Sequence, residues 1–174
     1  VDMGGFDSAM AQQREKSRSV AAFSETIDAY KNLSAKGIKP EFVGYETTTC
    51  NGAVLVLVKD GLAVETASSG DAVEVVTDVT PFYGEAGGQR GDTGTITGRG
   101  ANSGFEMSVT DTVKDPTGLI IHKGVIRSGS LKDSETVVLQ VDPKTRAATA
   151  CNHTATHILH SVLRQVLGDH VKQA

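Results

Sequence analysis

Apolar positions follow three successive patterns along this chain. From Phe6 to Leu33, the residues Phe6, Met10, Val20, Phe23, Ile27, Tyr30 and Leu33 fall near helical spacing. The run Gln12-Gln13-Arg14-Glu15-Lys16-Ser17-Arg18 between them is nearly all polar, which predicts a solvated linker helix within residues 1–36 rather than a core helix. Gly37 and Pro40 end it. From 41 to 141 short runs rich in β-branched residues alternate with Gly, Asn, Asp and Ser. Strands are predicted at Ala72–Thr77, Gly94–Thr97, Phe105–Thr110, Leu119–Ile126 and Thr136–Val141. Asn51-Gly52 separates two further apolar runs and predicts a type I′ hairpin turn there. Many short strands at this spacing predict a small antiparallel barrel over residues 37–141. The third pattern opens with Asp142 as N-cap and Pro143 as first helical residue, and Gly168 supplies a stop. The fold class expected is therefore α+β: a small antiparallel β-barrel between an N-terminal linker helix and a C-terminal helix within residues 142–174.

Ala147, Ala148, Ala155, Ile158, Leu159, Val162, Leu163 and Val166 give that last helix a wide apolar surface, which needs a partner. The barrel is expected to cover one side of it. The opening at Val1 and the ending Lys172-Gln173-Ala174 both read as cuts from a longer chain.

Composition narrows the class. In 174 residues, 39% are hydrophobic but 5% aromatic, with no Trp, so the core is expected to be Val, Ile, Leu and Ala. A net charge of −4 argues against strong nonspecific binding to nucleic acid. Arg90, Arg99, Lys123, Arg127 and Lys132 leave room for a local basic patch. Two cysteines, Cys50 and Cys151, form no disulfide framework, and a reducing, cytoplasmic setting is expected. The longest apolar run, Ala53 to Val58, is far too short to span a membrane.

Two stretches carry candidate chemistry. On a helix, His153 and His157 lie four apart and share a face, and His160 joins them. Two imidazoles at this spacing can bind one Zn²⁺, but zinc wants four ligands. Thr154, Ala155 and Thr156 stand between them, so the glutamate of a metalloprotease motif is absent. Cys151 lies about 200° from His153 around the helix and is a poor third ligand. As plain polar or packing residues, the histidines would need no metal.

The second stretch, Thr80 to Gly94, holds Gly84, Gly87, Gly88, Gly91 and Gly94. Exposed amides on such a loop can hold a carbonyl, a carboxylate or a phosphate. No Gly-Lys-Ser/Thr follows, and the flanks read as strands, so it is neither a phosphate-binding P-loop nor a dinucleotide fingerprint. A long turn at the barrel mouth is the plain alternative. Asp78, Asp92 and Asp111 are scattered and read as solvated surface, and His122, in an apparent strand, reads as structural. No general base is evident.

Taken together, Thr80–Gly94 and Asn152-His153-Thr154-Ala155-Thr156-His157-Ile158-Leu159-His160 closely resemble the bacterial alanyl-tRNA synthetases. Val1-Asp2-Met3-Gly4-Gly5-Phe6 and Lys114–Gly124 resemble that family as well, so the likeness covers nearly the whole chain. The resemblance implies part of an enzyme that attaches alanine to tRNA(Ala) with ATP and Mg²⁺, both serving an aminoacylation domain that lies outside this chain. It implies that these residues belong to the editing region, which hydrolyses tRNA(Ala) carrying serine or glycine. It further implies Zn²⁺ ligation by His153 and His157, with a Cys-x-x-x-His pair beyond this chain completing the site. The Gly-rich loop is then a wall of the editing pocket, with Gly87, Gly88 and Gln89 as substrate-binding residues. The implied partners are tRNA(Ala), the remaining editing core and the aminoacylation domain; the residues that contact tRNA are not identified. Two other readings stand beside this one: a non-catalytic barrel that positions tRNA, and a free-standing mischarged-tRNA deacylase.

Overall fold

In the computed structural model the described residues are Tyr30, Asn32, Leu33, Ala35, residues 37–85 and residues 90–168, with the backbone alone at His153. Eleven strands and one long helix follow in order: β1 (Glu41–Phe42), β2 (Thr49–Lys59), β3 (Leu62–Ala63), β4 (Thr66–Ser68), β5 (Ala72–Thr77), β6 (Val79–Thr80), β7 (Gly94–Gly98), β8 (Glu106–Lys114), β9 (Ile120–Ser128), β10 (Ser130–Lys132), β11 (Thr136–Val141) and α1 (Pro143–Leu167). Hydrogen-bonded neighbours run β11-β7-β8-β9-β5-β2-β3, and β11 also pairs with β2. Strands β2, β5, β9, β8, β7 and β11 therefore close into a six-stranded barrel in which every pairing is antiparallel. Closure removes the free edges that an open sheet of this size would expose.

Alternation builds the barrel core. In β11, Val137, Leu139 and Val141 point inward while Thr136 and Gln140 are exposed. In β8, Met107 and Val109 do the same. These side chains meet Val54, Leu57, Val75, Phe82, Ile96, Phe105 and Ile126 in one cluster. Each such burial contributes about 1.5–3 kcal/mol relative to exposure. A second cluster lies outside the barrel wall, where Tyr30 and Leu33 pack on Val58, Val76, Leu119 and Ile121. The Tyr30 hydroxyl donates to Glu74 Oε2 at 2.5 Å, and burial pushes its pKa up. The linker helix predicted within residues 1–36 otherwise lies outside the described residues.

The strands predicted from the pattern all form, with shifts of a few residues at their ends. The predicted turn at Asn51-Gly52 does not. Both residues sit inside β2, opposite Val138 and Val137 of β11. Gly52 is there because another backbone passes close: a Cβ would stand 2.7 Å from the Val79 carbonyl oxygen. The type I′ turn falls instead at Asp60-Gly61, with φ of 52° and 78°, joining Lys59 to its partner Leu62.

The last helix forms as its boundary residues predict. Asp142 Oδ1 accepts from the Lys144 N–H at 2.9 Å, Pro143 occupies the first turn, and the Gly168 N–H donates to the Arg164 carbonyl. The expected coverage by the barrel does not occur. From Ala147 to Leu167 the described side chains are exposed or half-buried, and Ile158, Leu159, Val162, Val166 and Leu167 face solvent. The helix runs off the barrel end rather than along its wall.

Candidate functional site

Both ends of the Gly-rich loop are tied to the barrel. The Tyr83 N–H donates to Asp92 Oδ2 at 2.7 Å, and the Asp92 N–H returns a bond to the Tyr83 carbonyl at 3.0 Å. The Thr112 hydroxyl donates to the Asp92 carbonyl oxygen at 2.8 Å, and the Glu85 N–H donates to the Thr112 carbonyl. Gly91 lies so close to the Thr112 carbonyl that any Cβ would collide with it. The loop is thus pinched shut at residues 83–85 and 91–92. Gly87, Gly88 and Gln89, its expected substrate-binding residues, lie outside the described residues.

Asp92 is not the solvated acid that its position in the sequence suggests. It is buried and pairs with Arg146, in the first turns of α1. Arg146 Nε donates to Asp92 Oδ1 at 3.3 Å and Nη2 to Asp92 Oδ2. Nη1 donates to the Gly44 carbonyl at 2.7 Å and Nη2 to the Pro81 carbonyl at 2.6 Å. The planar guanidinium donates four hydrogen bonds at once to a carboxylate and two carbonyls, more than the three N–H groups of an ammonium can supply. Nothing in the spacing of residues 44, 81, 92 and 146 announces this meeting.

Below the loop, His122 is fully buried. Its Nδ1 lies 2.9 Å from the Val75 carbonyl, which can only accept, so Nδ1 carries the proton. Nε2 then accepts from the Thr80 hydroxyl at 2.8 Å, and Thr80 Oγ1 accepts from the Phe82 N–H at 3.0 Å. Desolvation pushes the His122 pKa down to about 4. The Phe82 ring meets the imidazole edge-on, with centroids 5.1 Å apart. His122 is a neutral structural residue that shapes the loop's entry.

The histidine positions of α1 stand further along the helix. Residues 153 and 157 are both helical, four apart, and the His157 side chain is exposed. A groove of about 400 Å³ is lined by His157, His160, Ser161, Arg164 and Gln165. The His160 Nε2 atom is buried with no hydrogen-bond partner among the described residues. Imidazole nitrogens on one helical stripe fit a borderline cation such as Zn²⁺. Among the described residues no group of three or more His, Cys, Asp or Glu is placed to hold a metal ion. Cys151 is exposed.

The remaining surface is mixed in charge. Lys123, one of the residues of the possible basic patch, pairs with Glu74 at 3.1 Å, and elsewhere Lys59 pairs with Asp71 at 2.8 Å. An open cleft of about 660 Å³ at the root of α1 is lined by Thr93, Thr95, Ser108, Thr110, Gln140 and Asp142. Among the described residues no helix is long and apolar enough to cross a membrane.

Residues 1–145 match the tRNA synthetases class II (A), and the chain belongs to that family. Within it, the similarity is to alanine–tRNA ligases. The alanine–tRNA ligase of Desulfosudis oleivorans is 56% identical over 174 residues, covering 100% of this chain and 19% of that protein. Those of Mesorhizobium japonicum and Stenotrophomonas maltophilia are 44% and 45% identical, each over 99% of this chain and 19% of the relative. The chain therefore spans about 19% of the length of the relatives it matches.

Proposed function

We propose that this chain is part of the editing region of an alanine–tRNA ligase, the enzyme that joins alanine to tRNA(Ala) with ATP and Mg²⁺. The region hydrolyses the ester of tRNA(Ala) mischarged with serine or glycine. The observation that carries this reading is the pair of histidine positions four apart on α1, in a chain of this family. His153 and His157 would hold Zn²⁺, with the remaining ligands supplied from outside this chain. When bound, the ion supplies Lewis acidity at the ester or its water.

The chain's own groups bind and orient. Backbone amides at Gly87 and Gly88 and the Gln89 carboxamide hold the aminoacyl end, since a carboxamide both donates and accepts. A second hydrolytic site is chemically useful because a small amino-acid pocket rejects a close analogue by only ~10–200-fold. The partners are tRNA(Ala), the rest of the editing core and the aminoacylation domain, and the setting is the cytoplasm.

A second reading, a barrel that positions tRNA without chemistry of its own, draws support from the described residues, among which no three metal-ligating side chains come together. Metal analysis beside a deacylation assay on Ser-tRNA(Ala) separates the two. The 174-residue chain is expected to bind zinc weakly and to leave the ester intact. The full-length enzyme is expected to hold zinc and clear it, and His153→Ala or His157→Ala to abolish both while alanylation survives. Clearance by a full-length enzyme lacking both histidines would sink the editing role given to α1. Tight stoichiometric zinc and full activity in the short chain would sink the claim that the site is completed elsewhere.

A further inference from the structure

We infer that Arg146 is a positioning residue that sets the azimuth of the histidine face of α1 relative to the root of the Gly-rich loop at Pro81 and Asp92; the inference rests on the editing reading above. Two facts join here. Position 153 lies seven residues beyond Arg146, which is about 20° short of two full turns and about 10 Å along the axis. Position 157 falls about 20° to the other side of the same line, and position 160 about 40° off it. Arg146, His153, His157 and His160 thus share one stripe of α1. The face that Arg146 turns into the loop's root is the face that carries the histidines.

The anchor also acts on the loop. Asp92 accepts from the Tyr83 N–H, closing the loop's two ends, and with its other bonds receives Arg146. One buried carboxylate therefore holds the loop root and the helix together. Arg146 reaches the Pro81 carbonyl just before the loop and the Gly44 carbonyl on a third segment, so its fork is fixed from three directions. Beyond Arg146, the described side chains of α1 are exposed or half-buried. The cap at Asp142, whose N–H donates to the Thr93 carbonyl at 2.8 Å, fixes where the helix starts. Arg146 fixes how it is rotated. A helix turned by one residue's 100° would carry positions 153, 157 and 160 away from the line that Arg146 fixes.

The test uses full-length enzyme and three measurements: zinc content, melting temperature, and kcat and KM for deacylation of Ser-tRNA(Ala). The variants are Arg146→Met, Arg146→Lys and the isosteric Asp92→Asn, with His153→Ala as reference. The expected result is a kcat lower by on the order of a hundredfold in Arg146→Met, with zinc content reduced and KM and alanylation close to the parent. Arg146→Lys, which keeps the charge but loses the fork, recovers part of that loss. Asp92→Asn keeps an acceptor for Tyr83 and lowers kcat in the same way. Deacylation within twofold of the parent in Asp92→Asn and either Arg146 variant overturns the inference. So does a loss that scales with melting temperature across the three, which marks a merely structural ion pair. If His153→Ala itself deacylates normally, the editing reading fails first and takes this inference with it.

Discussion

His122 shows how far a residue's role depends on what surrounds it. As a histidine in a β-rich run it offered no sign of its partners, yet the barrel places it between the Val75 carbonyl and the Thr80 hydroxyl. Its folded pKa of about 4 lies below the value of about 6.5 for a free histidine. The unfolded chain therefore binds the proton first, and stability is lost as pH falls from about 6.5 towards 4. At pH 5 the loss is about 2 kcal/mol, at roughly 1.4 kcal/mol per pH unit. Denaturant titrations between pH 7 and 4.5 check this: the slope is expected in the parent and expected to flatten in His122→Gln. Asp92 teaches the same lesson with opposite sign. It reads as one more surface acid, and burial beside Arg146 makes it the tie between loop and helix.

At the scale of elements, local chemistry was most legible where a single residue type answers a single backbone need. Asp142, Pro143 and Gly168 each do so, and α1 begins and ends where they predict. Asp142 also accepts from the Thr145 hydroxyl at 2.8 Å, and that bond, followed by the Lys144 amide, holds its carboxyl below the usual range. Asp142→Ala is expected to lower stability, with the helix start fraying in hydrogen exchange. An unchanged melting curve and unchanged protection would show that Pro143 alone suffices. The Asn51-Gly52 signal failed because it competes with register. Residues 49–53 of β2 pair with β11, and residues 54 and 56–59 pair with β5, and those ladder bonds outweigh one local turn preference. Asp60-Gly61 carries a comparable turn preference and stands at the end of β2, where the chain reverses into β3, and there the turn forms.

On the scale of the whole molecule, the barrel is complete in itself and α1 is not. Its apolar residues Ile158, Leu159, Val162, Val166 and Leu167 remain in water while the barrel core is closed. Burial that does not happen contributes nothing, so Ile158→Ser with Val166→Ser is expected to leave the thermal melt of the barrel in the 174-residue chain unchanged within error. Leu139→Ala, inside the barrel, is expected to cost about 2–5 kcal/mol. A double serine variant that melts as early as the core variant would show that α1 packs on the barrel in solution.

What the sequence determined by itself was the kind and order of the elements: alternating residues for a barrel, helix-boundary residues for α1, and a four-residue spacing that puts two histidine positions on one face. These follow from periodicity, which needs no knowledge of distant contacts. Tertiary structure decided what distance in the chain conceals. It closed β11 onto β2, placed Gly52 against the Val79 carbonyl, withdrew His122 from water, and brought Gly44, Pro81 and Asp92 around Arg146. Those partners lie up to 102 residues apart, and no periodic pattern links them. Their meeting is set by how the barrel closes, because only the closed barrel gives a buried ion pair its full set of acceptors.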